Sequence, residues 1–261
     1  MLSIMSRRGL RILRNSYSNR GLQGVGLDGY YLFNSIWRTI LNKPIVNQDV
    51  TIPNSRRLDL LRTAEILAGR YEKEEATLAD EWVPDGSDVV ELGGGIGFIT
   101  TVTAQTTHDI GTHVVLEINP DLVPVLRSVV NTNQLDTIVD HSAYSARTDS
   151  VSLKKATIFT QSTINESQAS YGSIPAKSLS HLIDEYDLEE FTLIVDIEGA
   201  EQGLIDEGFE TMVNHCPLVI MELHRSRLDD DIVRYLERVQ TEYAIVADKD
   251  PVFVFERINQ S

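Results

Sequence analysis

The chain has 261 residues, a mass of 29.3 kDa and a formal net charge of −16. With 42% hydrophobic and 24% charged residues it has the composition of a soluble globular protein, which excludes a disordered chain. The single cysteine, Cys216, excludes an intramolecular disulfide scaffold and a cysteine-rich zinc site. The acidic charge repels phosphate backbones and therefore argues against a nucleic-acid partner.

The charge is distributed unevenly along the chain. Residues 1–60 hold nine basic against three acidic side chains (+6), whereas residues 61–261 hold fourteen against thirty-six (−22). No run of about eighteen apolar residues is present, so a membrane-spanning helix is not expected. No apolar h-region follows the first arginines, so a secretory signal is not expected and the protein is predicted to be cytoplasmic.

Residues 1–56 are predicted to be an N-terminal extension with a basic segment, a glycine-rich link and one amphipathic helix. Tyr30, Phe33 and Trp37 recur at helical spacing, and Pro44 ends the pattern. We expect the apolar face of this helix to pack on the main domain or on a second subunit. The alternative is that the arginine-rich segment contacts the anionic cytoplasmic face of a membrane. The sequence leaves the oligomeric state open.

From residue 57 onward the periodicity predicts one α/β domain. Apolar positions between Arg57 and Val83 fit one or two helices with a break near Gly69–Tyr71. Two closing runs, Tyr243–Ala247 and Val252–Glu256, are predicted to form an antiparallel hairpin. Between these segments, predicted strands alternate with helices: strands at 88–92, 113–117, 138–142, 192–196 and 218–223, and helices at 98–106, 122–131, 177–186, 201–214 and 229–241.

This order of elements predicts the fold class. Strands that alternate with helices are typical of a parallel sheet with helices on both faces. We therefore predict that residues 57–261 form a Rossmann-like α/β domain, with a seven-stranded, mostly parallel sheet and an antiparallel C-terminal hairpin. The polar stretch 146–175 is predicted to be a long insertion between the third and fourth strands, on the substrate side of the sheet.

A glycine-rich turn at 91–98 follows an apolar strand and opens a helix, so its backbone N–H groups are available to a ligand. Gly93, Gly95 and Gly97 lack the spacing of a dinucleotide fingerprint. With Glu91 two residues ahead, they have the form that is typical of an S-adenosylmethionine (AdoMet) turn. The motif predicts AdoMet as cofactor, with its methionine ammonium held by Glu91 and its carboxylate held by the turn.

The rest of the predicted cofactor site lies at the ends of the next two strands. Glu117 ends the second strand twenty residues beyond Gly97, where a carboxylate can accept both ribose hydroxyl hydrogens. The same strand end would accept NAD. Adenine is predicted to lie near the end of the third strand, around Asp140, Ser142 and Ala143.

The sequence DIEGAE (196–201) places three carboxylates at the end of the fourth strand, at the edge where open α/β sheets bind ligands. Four other segments complete a resemblance to the FkbM-type methyltransferase family over roughly residues 71–256: ELGGGIGFIT (91–100), EINP (117–120), the pair Asn131 and Asn133, and MELH (221–224). The resemblance implies a class I fold, dependence on AdoMet, and methylation of a hydroxyl oxygen on a sugar or a polyketide-like natural product. Where the family usually has a lysine two residues before Asp196, this chain has Ile194.

Methylation of a hydroxyl needs the acceptor oxygen in line with the methyl group and a base within reach of its proton. Four side chains near the ends of the fourth and fifth strands are candidate catalytic groups: Asp196, Glu198, Glu222 and His224. Glu201, in the first turn of the following helix, is expected to serve only the helix dipole. The acids could also hold a divalent ion, but no paired-histidine spacing is present, so no dedicated metal site is expected.

The polar insertion favours a sugar or glycan as the small-molecule acceptor, because it offers many neutral hydrogen-bonding groups. A hydroxyl of a natural product is the alternative. Two other classes stay open. An NAD-dependent oxidoreductase or epimerase would use a similar turn, although no correctly spaced Tyr-x-x-x-Lys pair lies beyond it. An inactive cofactor-binding scaffold would fit the missing lysine.

Overall fold

The computed structural model describes residues 28–39, 41, 43–47, 49–55, 58, 60–154, 170–197, 199–224 and 232–258. The chain divides into two compact units, Met1–Lys73 and Glu74–Ser261. The predicted basic segment and glycine-rich link fall within residues 1–27 and lie outside the described residues. The predicted boundary after residue 56 stays a prediction.

The described part of the first unit contains helices and a short hairpin. Its elements are α1 (residues 28–39), β1 (Ile45–Asn47), β2 (Val50–Ile52) and α2 (Leu60–Leu67). The antiparallel pairing of β1 with β2 was not predicted. Asn47 donates from Nδ2 to the carbonyl oxygen of Ile66 at 2.5 Å and ties this hairpin to α2. The predicted amphipathic helix is present as α1 with Tyr30, Phe33 and Trp37 exposed. The packing of this apolar face on the main domain or on a second subunit stays a prediction.

Helix α3 (Lys73–Trp82) leads into the second unit, and the break predicted near Gly69–Tyr71 separates it from α2. The elements that follow are β3 (Asp88–Leu92), α4 (Phe98–Thr106), β4 (His113–Leu116), α5 (Val123–Thr132), β5 (Ile138–Asp140), β6 (Ala143–Tyr144), β7 (Ser150–Lys154), β8 (Ser170–Lys177), α6 (Leu179–Tyr186), β9 (Phe191–Val195), α7 (Glu201–Asp206), α8 (Phe209–His215), β10 (Leu218–Glu222), α9 (Ile232–Val239), β11 (Tyr243–Lys249) and β12 (Val252–Arg257). Among the described helices, none combines the length and hydropathy that crossing a bilayer requires.

Seven of the described strands form the main sheet in the order β11-β12-β10-β9-β3-β4-β5. The five strands from β10 to β5 run parallel to one another. β12 lies between β10 and β11 and pairs antiparallel with both. This sheet confirms the predicted Rossmann-like fold and its closing hairpin. The insertion of β12 next to β10 is a detail that the sequence did not predict.

The parallel strands are buried on both faces, which explains their nearly continuous apolar sequences. Val114 and Leu116 of β4 belong to a large core cluster that also contains residues of α6, α7, α8 and α9. Val115, between them, packs with Leu126 and Val130 of α5 in a separate cluster. Because successive side chains of a strand point to opposite faces, helices cover both faces of the sheet, as predicted.

The predicted insertion at 146–175 is in part a hairpin, which corrects the expectation of a loop. β7 and β8 pair antiparallel, and β6 joins β8, so that these three strands form a second sheet of order β6-β8-β7. The helix predicted from residue 177 begins at Leu179. The reason is local: Ser178 has extended backbone and its Oγ accepts the N–H of His181 at 3.2 Å, which caps the helix.

The helix predicted over 201–214 is two helices, α7 and α8, that meet at Glu207–Gly208. A Cβ at Gly208 would stand 2.2 Å from the hydroxyl oxygen of Tyr144 in β6. A side chain at this position would collide with Tyr144 unless that residue moved, so the glycine permits the close approach between the two helices and β6.

Candidate active site

The carboxyl ends of four parallel strands meet at one edge of the main sheet. Leu92, the last residue of β3, lies in register with Leu116 of β4 and Val195 of β9, and Val195 pairs with Met221 of β10. The fold therefore brings together the predicted site residues at these strand ends: Gly93, Glu117, Asp196 and Glu222. Open α/β sheets bind ligands in the crevice at this edge.

The glycine-rich turn is folded tightly against the neighbouring strands. The N–H groups of Gly93 and Gly94 both donate to the carbonyl oxygen of Leu116, at 3.0 and 2.9 Å. Gly93 has a φ of 96°, and a Cβ there would stand 2.0 Å from the backbone oxygen of Asp196. Only glycine combines this backbone conformation with so close an approach between β3 and the end of β9.

Glu117 reaches from the end of β4 to the glycine turn. Its side chain is buried, and Oε2 accepts the N–H of Gly95 at 2.7 Å while Oε1 accepts the N–H of Asn119 at 2.6 Å. Burial raises the pKa of Glu117 to about 7, aided by the charges of Asp196 and Glu91 and opposed by the two backbone hydrogen bonds. The carboxyl of Glu117 therefore links the glycine-rich turn to the end of β4 through a hydrogen bond.

The raised pKa of Glu117 makes stability depend on pH. The carboxyl ionises near pH 4.5 in the unfolded chain but holds its proton to about pH 7 in the folded chain. Its stabilising contribution is complete below pH 4.5 and is lost as the pH rises through 7, and this shift corresponds to about 3 kcal/mol. We expect the free energy of unfolding of the wild type, relative to Glu117→Ala, to fall by about that amount between pH 4.5 and 8 in urea titrations. Parallel pH curves for the two proteins would contradict the expectation.

Glu91 presents a buried carboxylate oxygen at the end of β3. Its Oε2 has no hydrogen-bond partner among the described residues, and the nearest cationic candidate is Nε2 of His113 at 3.8 Å. The other ring nitrogen of His113, Nδ1, lies 3.1 Å from Oγ1 of Thr137. A buried carboxylate oxygen without a donor is costly, so Glu91 is suited to a ligand that brings one. Its predicted role toward an ammonium group stays a prediction.

Asp140, at the end of β5, is held by two side chains from the segment that follows. Oδ2 accepts Nζ of Lys177 at 2.6 Å and the hydroxyl of Tyr186 at 2.7 Å. Burial alone would raise the pKa of Asp140, but the bonds to Lys177 and Tyr186 lower it below its usual value. Next to it, Ser142 and Ala143 are buried. The backbone oxygen of Asp140 accepts the N–H of Glu117 at 3.0 Å, so the predicted adenine and ribose positions are adjacent.

Three of the four predicted catalytic side chains lie together beyond β9 and β10. Nε2 of His224 is 3.6 Å from Oδ1 of Asp196 and 3.6 Å from Oε2 of Glu222, and all three residues are partly buried. We refer to these three residues as the carboxylate–histidine group. The fourth candidate, Glu198, lies outside the described residues.

Glu201 is part of the site, which corrects the expectation that it serves only the helix dipole. The residue is completely buried at the start of α7. Its Oε1 lies 2.5 Å from Nδ1 of His224, and its Oε2 accepts the N–H of Gly199 at 2.7 Å. Glu201 therefore fixes the orientation of the His224 ring and directs Nε2 toward the other two carboxylates.

Glu222 and His224 both have raised pKa values. Burial, together with the charges of Asp196 and Glu75, raises the pKa of Glu222 to about 8, although His224 opposes the shift. Burial alone would lower the pKa of His224, but the hydrogen bond to Glu201 and the charges of Glu222, Glu201 and Asp196 raise it to about 9. The group thus combines a cationic imidazole with a carboxyl that ionises only in mildly basic solution.

Sequence reasoning missed four residues that support the site: His113, Lys177, Tyr186 and Glu201. The partners of Lys177 and Tyr186 lie 37 and 46 positions away in the chain, and no spacing pattern relates them. One signal for Glu201 was present in the sequence. An acid in the first turn of the helix that follows β9 must lie near the carboxyl end of that strand, where the candidate site is. Nothing in the sequence shows that its side chain points inward.

No protein-family model matches the chain, and no curated protein matches it significantly. Several solved structures are similar to it in fold. One is a protein of the NADB-Rossmann superfamily from Streptococcus agalactiae, with 11% identity over 72% of this chain and 70% of that chain and a TM-score of 0.45. Another is TYW2 of M. jannaschii in complex with AdoMet, with 13% identity over 83% and 86% and a TM-score of 0.43.

A methyltransferase from Geobacter sulfurreducens is 16% identical over 88% of both chains, with a TM-score of 0.43. Likenesses of this extent carry no inference about activity. The fold of this chain rests on the sheet order and register described above, and any function must be argued from its own side chains.

Proposed function

We propose that the chain is an AdoMet-dependent methyltransferase that methylates a hydroxyl oxygen. The observation that carries this proposal is the hydrogen bond of 2.7 Å from the N–H of Gly95 to Oε2 of Glu117. It joins the turn that we assign to the methionine end of the cofactor with the acid that we assign to its ribose. The resemblance to the FkbM-type family in segments 91–100 and 196–201 supports the same assignment.

The side chains at the sheet edge fit the chemical groups of AdoMet. Glu91 offers to the methionine ammonium its buried Oε2, which accepts no hydrogen bond from the described part of the chain. Each oxygen of Glu117 accepts one backbone N–H and keeps a lone pair for a ribose hydroxyl. Asp140, with Ser142 and Ala143 beside it, is the position we assign to adenine. When bound there, AdoMet supplies an electrophilic methyl group on its sulfonium sulfur.

We assign activation of the acceptor hydroxyl to the carboxylate–histidine group. It lies at the same edge as Glu117, close enough that the charge of Asp196 raises the pKa of Glu117. Asp196 is the most exposed of the three and the one that an acceptor reaches first. With AdoMet bound, this group would orient the hydroxyl and take up its proton while the oxygen–carbon bond formed and the methyl carbon–sulfur bond broke, which would leave S-adenosylhomocysteine.

The acceptor that we propose is a hydroxyl of a sugar or glycan. The family resemblance supports it, and so do the exposed serines of the β7–β8 hairpin, Ser150, Ser152 and Ser173. A hydroxyl of a natural product is the alternative acceptor. Contact of the N-terminus with a membrane face stays a prediction, because residues 1–27 lie outside the described residues.

Calorimetry with AdoMet, S-adenosylhomocysteine and NAD tests the cofactor assignment. We expect both AdoMet and S-adenosylhomocysteine to bind with one site per chain, because both carry the amino-acid and ribose groups that Glu91 and Glu117 recognise. NAD is expected not to bind, because the turn lacks the third glycine of a dinucleotide fingerprint. Binding of NAD in the absence of binding by the other two would replace the proposal with an oxidoreductase or epimerase.

The acceptor is tested by mass spectrometry of cell-surface glycans and lipid-linked sugars from cells with and without the gene. A loss of 14 mass units from one glycan on deletion is the expected result, since each methyl group replaces one hydrogen (about 14 Da). Identical methylation in both strains would count against a glycan. Binding of AdoMet without turnover on any glycan or natural-product panel would favour an inactive scaffold.

A further inference from the structure

The three donors of the carboxylate–histidine group have separations that suit one metal ion. The two distances of 3.6 Å from Nε2 of His224 are too long for hydrogen bonds, which span about 2.7–3.2 Å. All three donor atoms lie within 4.8 Å of one another. Ligand atoms about 2.1 Å from a metal lie roughly 3.0–3.5 Å apart at octahedral or tetrahedral angles. One ion therefore fits between them after small side-chain shifts.

The ring nitrogen of His224 that faces away from the proposed ion has a hydrogen-bond partner, as it usually does in metal-bound histidines. Such a histidine usually gives its other ring N–H to a carboxylate or carbonyl, which fixes the tautomer and aims the free nitrogen at the ion. Here Nδ1 of His224 lies 2.5 Å from Oε1 of the completely buried Glu201, which is itself anchored by the N–H of Gly199. Once a metal ion displaces the proton that Nε2 carries in the cationic imidazole, this arrangement directs the lone pair of Nε2 into the space between Asp196 and Glu222.

Two of the three ligands lie at the ends of paired strands. The N–H of Asp196 donates to the carbonyl oxygen of Leu92 at 2.9 Å, and the N–H of Leu223 donates to the carbonyl oxygen of Pro251 at 3.1 Å. Asp196 directly follows β9, and Glu222 is the last residue of β10. These two strands pair with each other in the main sheet. Sites built on paired strands hold their ligands more closely than sites on loops do. The donors are thus arranged before any ion arrives.

We propose that the carboxylate–histidine group binds one divalent transition-metal ion of the Mn²⁺ type. Two carboxylates with one imidazole suit such an ion, whereas Mg²⁺ and Ca²⁺ prefer oxygen ligands alone. Three protein ligands leave coordination positions open for an acceptor oxygen. The site therefore places the ion where the acceptor is expected, and it adds a metal that the sequence did not predict.

The role of the ion rests on the proposed function, although its binding does not. A cation in contact with the acceptor hydroxyl lowers the pKa of that hydroxyl. The proton then passes to water, the oxygen forms a bond to the methyl carbon, and the carbon–sulfur bond breaks with its electron pair left on sulfur. The ion thus replaces direct proton uptake by the carboxylate–histidine group.

Electron paramagnetic resonance of Mn²⁺ titrated into the chelator-treated full chain tests the site. Excess Mg²⁺ is added to occupy the weak acidic sites that a chain with net charge −16 offers. We expect one equivalent of Mn²⁺ to be bound by the wild type and the affinity to fall at least tenfold in His224→Ala and Glu222→Gln. Glu201→Gln, which leaves all three ligands in place, is expected to weaken binding about tenfold to a hundredfold.

His181→Ala is the matched control. His181 also faces a carboxylate, with Nε2 3.5 Å from Oε2 of Glu185, but this pair is exposed on α6 and far in sequence from the ligands. Its substitution is expected to leave Mn²⁺ affinity unchanged. The proposal fails if the wild type binds no Mn²⁺, or if the near-isosteric Glu222→Gln binds it as tightly as the wild type does.

The same samples separate this inference from the proposed function. AdoMet affinity is measured by calorimetry on the metal-free chain. Binding of AdoMet without a Mn²⁺ site overturns the metal alone. A Mn²⁺ site that is lost in Glu222→Gln, on a chain that binds no AdoMet, supports the metal and overturns the proposed function.

Discussion

Alanine in place of Gly93 is expected to lower the free energy of unfolding by at least about 3 kcal/mol, or to prevent folding. Two costs add. A non-glycine residue at a φ of 96° carries about 1–2 kcal/mol of backbone strain. The new Cβ would also stand 2.0 Å from the backbone oxygen of Asp196, so that two paired strands, β3 and β9, must move apart.

Gly86→Ala is the control that isolates the first cost. Gly86 has a φ of 74° but nothing lies within 4 Å of a Cβ built on it. We expect this variant to lose only about 1–2 kcal/mol in urea unfolding, which is the strain alone. Equal losses for both variants would show that the close approach at Gly93 does not limit stability.

Glu117→Ala is expected to weaken AdoMet binding on the order of a hundredfold or more. In the proposed complex Glu117 accepts two ribose hydroxyls, and charge-assisted hydrogen bonds contribute about 1.5–3 kcal/mol each. The substitution also removes the acceptor for the N–H of Gly95, so the glycine turn loses one of its hydrogen bonds to the end of β4. Both effects act in the same direction and are measured by calorimetry.

Glu256→Ala provides the comparison for Glu117→Ala. Glu256 is an exposed carboxylate on β12, so its removal also deletes a carboxyl group but does not touch the predicted cofactor site. AdoMet affinity should be the same as in the wild type. If Glu117→Ala also binds AdoMet with wild-type affinity, the ribose lies elsewhere and the cofactor assignment needs another acid.

Local signals in the sequence determine much of this fold. The bounds of β3 and α4 are those that the sequence predicts, because an apolar strand between the turn at 84–86 and the glycine turn leaves little freedom. The β7–β8 hairpin was missed because β8 contains Gly172 and Pro175, residue types that argue against a strand, although β7 has a polar–apolar alternation. The position of β12 was missed because the sequence shows that β11 and β12 form a hairpin but does not show which of the two strands pairs with β10.

The candidate site divides in the same way. Strand ends and turns are visible in the sequence, so Glu117, Asp196 and His224 could be placed at one edge in advance. The hydrogen bond between Glu201 and His224 depends on a side chain that turns inward from a helix start 23 residues away. That orientation follows from packing. The metal proposal depends on it, whereas the residue spacing alone, which shows no pair of histidines, gave no reason to expect a metal site.

The place of β12 within the sheet also bears on how the chain is made. β10 pairs with β9 on one side and with β12 on the other, and α9 and β11 come between β10 and β12 in the chain. A nascent chain that has released β10 but not β12 presents an unpaired apolar edge, which includes Val219 and Met221. At about 5–20 residues per second, the roughly 30 intervening residues keep that edge open for a few seconds. In that interval the edge of β10 is open to pairing with a strand of another chain.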